Sequence, residues 1–222
     1  MDGLLLVDKP IGITSFDVIR RLRFVTGIKK IGHAGTLDPL ATGLMLILIG
    51  GACKKAESLT KLDKRYIADI RLGFNSTTGD EEGEKIKISS KRPIRSDIEK
   101  AIVGFTGEIS QTPSIYSAIK IKGKEAYKYA RAGQSVEVPV RKVTVHELVA
   151  MGYEYPSLTL VAHVSSGTYI RSLAEDMGKV LETGAYLGGL IRTEIGDYCL
   201  EDAIALDDCT IESVQNKLIS LD

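Results

Sequence analysis

The sequence has little of what an exported or membrane-bound protein needs. Its 222 residues include three cysteines and no tryptophan, and its longest apolar run, residues 44–49, is far shorter than the roughly 20 residues that cross a bilayer. Cys53, Cys199 and Cys209 form no C-x-x-C pair and leave an odd thiol, so we expect no disulfide framework and no cysteine zinc site. Asp2 stands where a secretory signal would carry lysine or arginine. We therefore expect a cytoplasmic protein with reduced thiols and no membrane association.

Common metal and cofactor motifs are missing as well. His33, His146 and His163 lie far apart and form neither H-x-E nor H-E-x-x-H. The sequence contains no G-x-x-x-x-G-K-[ST] loop, no G-x-G-x-x-G and no G-x-S-x-G elbow. We expect no metal and no cofactor, and a chemistry carried out by side chains.

The net charge of zero hides an uneven distribution. Residues 194–222 hold eight acids and one base, which leaves 28 bases and 21 acids in residues 1–193. Residues 20–30 carry five cations and no acid. A second basic stretch, residues 107–142, interleaves cations with rings: Lys120, Lys122, Lys124, Lys128, Arg131, Arg141, Lys142, Tyr116, Tyr127 and Tyr129. Cations beside rings are typical of an RNA-contacting surface, although charge alone leaves a solvated helix face open.

Hydrophobic periodicity predicts an α+β fold. Strands are expected over residues 4–7, 44–49, 64–72, 136–151 and 158–164, with shorter signals at 185–191 and 194–200. Helices are expected from a Thr14 or Ser15 cap to Gly27, after a Ser96–Glu99 capping box, over 168–181 and over 211–219. Residues 29–43 and 75–84 are expected to be loops. This order favours a mixed, mainly antiparallel central sheet flanked by helices and loops, in a single domain over residues 1–222.

Asp38 is the one carboxylate between Asp17 and Glu57, on a glycine-rich loop in a span with seven cations. An isolated anion among cations stays ionised and can act as a nucleophile. Asp-Pro also opens ordinary turns, so the local pattern leaves a structural role open.

The loop around Asp38 resembles a known signature. Residues 32–43, GHAGTLDPLATG, closely resemble the active-site segment of the TruB family of tRNA pseudouridine synthases, which isomerise uridine 55 in the T-arm loop. Further segments resemble family motifs in family order, from residue 3 to about 200: DKPIGITSF at 8–16, DKRY at 63–66, TGDEEGE at 78–84, QTPSIYSAIK at 111–120, SGTYIRSL at 166–173 and LIRT at 190–193. Ser114 stands where proline is usual.

The resemblance implies a pseudouridine synthase fold and a role for each matching residue. Asp38 would be the nucleophile, Tyr66 would stack on the flipped uracil and take part in proton transfer, and Arg171 would pair with the Asp38 carboxylate. The residues that would bind the substrate or line its pocket are His33, Tyr169, Leu190, Lys9 and Asp80. The implied partner is the T-arm stem-loop of tRNA, without a guide RNA or a protein partner, and we expect a monomer.

The implied reaction breaks the N1–C1′ bond of uridine and rejoins the base through C5, with no redox change and no group lost. Attack of the carboxylate at C1′ and proton abstraction at C2′ both remain open. The base must be extruded, which is cheapest in a loop, and shielded from water, because hydrolysis would leave an abasic site. Residues 107–142 would clamp the RNA.

Members of this family commonly carry a C-terminal PUA-type RNA-binding domain, whereas residues 201–222 form a short acidic tail. We expect either a naturally short member or a truncated one, which makes fewer phosphate contacts with tRNA. Two alternatives stay open: an RNA chaperone whose chemistry is secondary, and a guide-dependent member of the same superfamily, as in box H/ACA particles.

Overall fold

The computed structural model describes residues 1–115, 120, 121, 123–126, 129, 134 and 136–221. The chain divides into two compact units: unit 1 comprises Met1–Ile67 and Leu190–Asp222, and unit 2 comprises Ala68–Gly189. Lys64–Leu72 and Ala185–Ile195 are strands with residues in both units. Of the basic stretch, Tyr116, Lys122, Tyr127, Lys128 and Arg131 lie outside the described residues.

Unit 1 is built on a strand that has neighbours on both edges. β1 (Gly3–Lys9) runs antiparallel to β3 (Ala41–Ile49), and β2 (Ile31–Ala34) pairs antiparallel with the second half of β3. The first residues of β3 pair in parallel with β12 (Ala185–Ile195), from Leu190 onward. Flanked in this way, β3 is buried along almost its whole length, which explains the apolar run at residues 44–49.

The helices of unit 1 pack around this sheet. α1 (Ser15–Thr26) begins where the Thr14 hydroxyl accepts the Asp17 N–H at 3.2 Å and ends at Gly27, whose left-handed φ of 71° suits glycine. A 3₁₀ turn (Gly50–Lys55) leads into α2 (Ala56–Thr60). Towards the carboxyl end, β13 (Tyr198–Cys199) pairs with β12, β14 (Ile204–Ala205) pairs in parallel with β1, and α5 (Ile211–Asn216) follows.

Unit 2 contains the sheet order β4 (Lys64–Leu72), β11 (Ser157–Val164), β10 (Arg141–Glu154) and β7 (Gly107–Gln111). β10 is antiparallel to both β11 and β7. Its helices are α3 (Arg95–Gly104) and α4 (Ile170–Val180). Two small hairpins pair β5 (Phe74–Ser76) with β6 (Lys85–Lys87), and β8 (Lys120–Ile121) with β9 (Lys124–Glu125). The predicted α+β fold with a mixed, mainly antiparallel sheet is confirmed.

Three local predictions are wrong. β2 lies within the segment 29–43 that was expected to be a loop, because pairing with β3 stabilises a glycine-containing strand that has no local signal. At the start of α3 the carboxylate of Asp97 accepts the Ile94 N–H at 3.1 Å, while Glu99 pairs with Arg95, so Ser96 and Glu99 form no capping box. β12 is one continuous strand from Ala185 to Ile195, rather than the two separate strands expected at 185–191 and 194–200.

Among the residues that the structure describes, no helix is long and apolar enough to span a bilayer.

Candidate functional site

Asp38 lies in unit 1 on the short loop that joins β2 to β3. Leu37 and Leu40 are buried on either side of it, and the Asp38 side chain is exposed. Gly35 begins the loop with a φ of 93°, and a Cβ there would lie 3.3 Å from Nη1 of Arg192. Buried leucines therefore anchor the loop, while Asp38 itself is exposed, so that a substrate can reach it.

Lys9 holds this loop from the buried side. Its side chain is fully buried, and Nζ donates to the carbonyl oxygens of Ala41 at 2.7 Å, Pro10 at 2.9 Å and Pro39 at 3.5 Å. Burial lowers the pKa of Lys9 to about 8, although the charge of Asp38 acts in the opposite direction. The resemblance assigns Lys9 to the pocket or its rim; the structure places its ammonium on the main chain of the Asp38 loop.

The residues after Lys9 hold the same loop through further hydrogen bonds. The Gly12 N–H donates to the Pro39 carbonyl at 2.8 Å. The buried Ser15 hydroxyl donates to the Leu37 carbonyl at 3.0 Å and accepts the Leu37 N–H at 2.8 Å. The segment 9–15 is thus a clamp on residues 37–41. Sequence reasoning identified it as a motif without finding this function.

Arg192 fixes the other side of the loop. Its guanidinium is buried, and it donates from Nε to Leu44 O at 2.8 Å, from Nη2 to Gly35 O at 3.1 Å and from Nη1 to Thr36 O at 3.4 Å. Burial lowers the pKa of Arg192, and the interaction of its guanidinium with the phenol of the buried Tyr66 on β4 raises it in part. The same cation therefore holds the loop and interacts with Tyr66.

Sequence reasoning quoted Arg192 within the LIRT segment but gave it no role. The available signal was an arginine inside a strand. An arginine is almost never fully buried unless its N–H donors are satisfied, so a buried Arg192 would have indicated nearby acceptors. Its hydrogen-bond partners are main-chain carbonyls, which no sequence pattern reveals.

His33 and Leu190 lie on the strands that enter and flank the loop. His33 on β2 is opposite Ile47, and its Nδ1 has no hydrogen-bond partner within the described part of the chain. Burial and then the charge of Arg192 lower the pKa of His33, which favours the neutral ring. Leu190 is half-buried and pairs with Ala41, three residues after Asp38. Unit 1 thus gathers five of the predicted residues around one loop: Lys9, His33, Asp38, Tyr66 and Leu190.

Unit 2 brings Asp80 and Arg171 together. Arg171 lies in the first turn of α4, with Nε 3.3 Å from Oδ2 of Asp80 and Nη1 donating to Thr78 O at 3.4 Å; both side chains of the ion pair are buried. Oδ1 of Asp80 accepts the Thr78 hydroxyl at 2.5 Å and the Glu82 N–H at 3.2 Å. The Asp80 carboxylate and the Thr78 carbonyl therefore both contact the guanidinium.

A close approach of the acidic loop to α4 makes this pair possible. Gly79 has a φ of 77°, and a Cβ there would lie 2.7 Å from Oε1 of Glu175 and 3.0 Å from Cδ of Arg171. Burial is the largest influence on the pKa of Glu175 and raises it. A further carboxyl that resists ionisation therefore lies beside the ion pair.

Tyr169 precedes α4 and is held by a side chain that sequence reasoning did not single out. The buried Gln111 donates from Nε2 to the Tyr169 carbonyl at 3.0 Å and accepts the Tyr169 N–H on Oε1 at 2.7 Å. The Arg141 guanidinium lies 6.0 Å from the centroid of the Tyr169 ring. Gln111 belongs to the QTPSIYSAIK segment, which was the available signal.

The described residues contain no group of three or more histidine, cysteine, aspartate or glutamate side chains that could hold a metal ion.

Comparison with known proteins decides the family. Residues 23–170 match the model for the TruB family pseudouridylate synthase (N terminal domain). This chain belongs to the TruB family. The matched segment contains His33, Asp38, Tyr66, Asp80 and Tyr169.

Curated relatives extend the TruB match over most of the chain. The protein named tRNA pseudouridine synthase B of Burkholderia lata is 47% identical over 207 residues, which is 93% of this chain and 64% of that protein. The protein of the same name from Cupriavidus metallidurans is 47% identical over 92% of this chain and 66% of its own length. The chain therefore spans slightly less than two thirds of these relatives.

Solved structures agree with the TruB fold. A chain in the crystal structure of a Cbf5-Nop10-Gar1 complex is 26% identical and aligns with a TM-score of 0.72 over 93% of this chain and 53% of that one. The pseudouridine synthase fold expected from the sequence is confirmed.

Proposed function

We propose that this chain isomerises uridine 55 in the T-arm loop of tRNA to pseudouridine, as a single catalytic domain over residues 1–222 that needs no cofactor. The observation that carries the proposal is the clamped loop of unit 1, which carries the exposed Asp38 on a main chain held by Lys9, Ser15 and Arg192. Relatives 47% identical and named tRNA pseudouridine synthase B support the substrate.

Asp38 is proposed as the group that acts on the ribose. A carboxylate can attack C1′ of an extruded uridine as the base leaves, or take a proton from C2′ to give a glycal. Either step demands accurate placement, because an error of about 1 Å in a reacting group can cost about 100-fold in rate. The hydrogen bonds from segment 9–15 and from Arg192 supply that placement through the main chain.

Tyr66 and Leu190 are proposed to hold the detached uracil. Tyr66 would stack on the ring and take part in proton transfer at C5, with the phenol interacting with Arg192. Leu190, half-buried beside Ala41, would supply an apolar wall, and His33 on β2 would contact the RNA near the target. Because Asp38 itself is exposed, we assign the exclusion of water to the bound RNA together with these two side chains.

Arg171 is proposed as the partner of the Asp38 carboxylate, the role that membership of the family implies. Its ion pair with Asp80 would set the orientation of the guanidinium. Tyr169, whose backbone is fixed by Gln111, would line the pocket. Both residues lie at the start of α4, so one helix end would bring them into position.

The proposed partner is tRNA alone, bound by a monomer without a guide RNA or a protein partner. The excess of bases in residues 1–193 favours a polyanionic ligand, and the stretch 107–142 would close over the T-arm. Proteins of this kind act on a loop because an unpaired base is cheapest to extrude.

The test is to map pseudouridine in reacted RNA. Purified protein is incubated with an unmodified tRNA transcript, with the isolated T-arm hairpin and with a transcript carrying cytidine at position 55. Pseudouridine at position 55 of the first two, and none in the third, is the expected result. A product that forms only when a guide RNA is added would select guide-dependent action instead. Refolding of tRNA by both wild type and Asp38→Asn, with no pseudouridine, would select a chaperone.

A further inference from the structure

The outward face of α1 carries two large aromatic rings in water. Phe16 and Phe24 are 58% and 82% exposed, although the opposite face of the same helix buries Val18, Ile19 and Leu22. The hydrophobic side of this helix is thus already satisfied by the core of unit 1. The two rings are surplus to folding, which makes them candidates for a contact surface.

Arginines accompany the rings. At 3.6 residues per turn, Phe16, Arg20, Arg23 and Phe24 share one flank of about 100° on the outer face of the helix, here called the α1 flank. The Arg23 guanidinium lies 5.8 Å from the centroid of the Phe16 ring and donates to the Ile31 carbonyl at 3.2 Å. Arg20 pairs with Asp17 at 2.7 Å. The cation of Arg23 is therefore held in place beside a ring.

The α1 flank is tied to the loop that carries Asp38. Ser15, next to Phe16, makes its two hydrogen bonds with the backbone of Leu37, the neighbour of Asp38. Arg23 holds the carbonyl of Ile31, the first residue of the strand that leads into the same loop. A strand of RNA whose uridine reaches Asp38 would continue towards this flank.

We infer that the α1 flank binds unpaired nucleotides of the substrate RNA next to the target uridine, with bases stacked on Phe16 and Phe24 and phosphates paired with Arg20 and Arg23. This inference rests on the proposed function. Every base offers a π-face to an aromatic ring, and each neutralised phosphate releases counterions. Duplex RNA exposes no base faces to such rings, so the nucleotides must be unpaired.

Charge favours RNA over a protein partner for this surface. Residues 20–30 contain five cations and no acid, and Asp17 is the one acid within α1. A protein would have to present a strongly acidic patch to match this density of positive charge, whereas an RNA strand carries a charge at every nucleotide.

The experiment measures binding of an unmodified tRNA transcript by fluorescence anisotropy at several salt concentrations, in an Asp38→Asn background that prevents turnover. Adding Phe24→Ala should weaken binding about fivefold or more. Adding Arg20→Gln should reduce the slope of log Kd against log salt by about 0.7. In the wild-type background, Phe24→Ala should raise KM and leave kcat unchanged.

Matched controls lie on α3. Val103→Ala removes an exposed apolar side chain, and Arg95→Gln removes an exposed arginine that pairs with an acid on its own helix, as Arg20 does. Both should bind tRNA like the parent. Thermal unfolding of every variant should match the parent, because none of these side chains is buried.

Two results would overturn the inference, and they are distinguishable. If the parent binds tRNA and wild type makes pseudouridine, but Phe24→Ala and Arg20→Gln bind like the controls, the α1 flank serves another ligand such as a protein and the proposed function stands. If the parent binds no RNA and wild type makes no pseudouridine, the proposed function and the inference fail together.

Discussion

Arg192 interacts with the phenol of Tyr66 and at the same time donates to the carbonyls of Gly35 and Thr36, at the start of the Asp38 loop. One buried guanidinium therefore links Tyr66 to the Asp38 loop. This relationship, more than any direct contact of Arg192 with substrate, explains why a cation is retained in the interior of unit 1.

Replacing Arg192 tests this coupling. Arg192→Lys keeps the charge but loses the planar fork, so it cannot satisfy the loop carbonyls and Tyr66 together. We expect kcat to fall about 10- to 100-fold with a smaller change in KM. In a Tyr66→Phe background the same substitution should cost less, because the interaction between the guanidinium and the phenol is already gone. Fully additive effects in single-turnover assays would contradict the coupling.

The Ser15 hydroxyl should matter for both stability and rate. Ser15→Ala removes the hydroxyl that accepts the buried Leu37 N–H. Leaving this N–H without an acceptor should lower the free energy of unfolding by about 1–3 kcal/mol. Turnover should fall as the main chain beside Asp38 loosens. Urea denaturation and initial rates check both effects. Ser58→Ala, which removes a hydroxyl bound to an exposed carbonyl, is the control and should change neither.

The lowered pKa of Lys9 predicts how the free energy of unfolding changes with pH. In the folded chain it loses its proton near pH 8, and in the unfolded chain near 10.5. Between these values the unfolded chain binds more protons, so the contribution of Lys9 to the free energy of unfolding rises with pH, by at most about 1.4 kcal/mol per pH unit. Below pH 8 the contribution is constant.

Lys9→Met removes that dependence and provides the measurement. Urea denaturation of wild type and variant from about pH 7.5 to about pH 9.5 should show wild type gaining stability relative to Lys9→Met as the pH rises. Lys64, whose pKa is also lowered to about 8 by burial, contributes equally to both proteins and cancels. A difference independent of pH would show that Lys9 titrates at its ordinary value.

Gly79 should tolerate no side chain. Gly79→Ala forces a left-handed backbone conformation, at about 1–2 kcal/mol, and drives a methyl group against Glu175 and Arg171. We expect lower stability and a fall in kcat, because Arg171 loses its orientation against Asp80. Gly104→Ala, at a helical glycine with no atom near its added Cβ, should be neutral or stabilising. Equal behaviour of the two variants would contradict this account.

Local sequence signals predicted those helices and strands whose stabilising residues lie within or next to the element itself. α1 has its Thr14 cap and its Gly27 end in sequence, and β3 contains the apolar run 44–49, so both were predictable. β2 was not, since its stability comes from pairing with β3. The hydrogen bond from Arg192 to Leu44 spans 148 residues and leaves no trace in local composition.

In the candidate site, too, several residues were predictable from the sequence, whereas the contacts that hold them were not. Resemblance identified Asp38, Tyr66 and Arg171 as residues with roles, and those roles stay predictions. What the sequence did not reveal is how the loop is held: the clamp formed by Lys9 and Ser15, and the buried guanidinium of Arg192, depend on main-chain carbonyls that carry no residue identity.

The most direct test of the central claim is release of tritium from tRNA labelled at C5 of uridine. Joining the base to the sugar through C5 displaces the label into water, so wild-type protein alone should release it, and Asp38→Asn, at matched RNA binding, should release none. Release by Asp38→Asn at the wild-type rate would contradict the account.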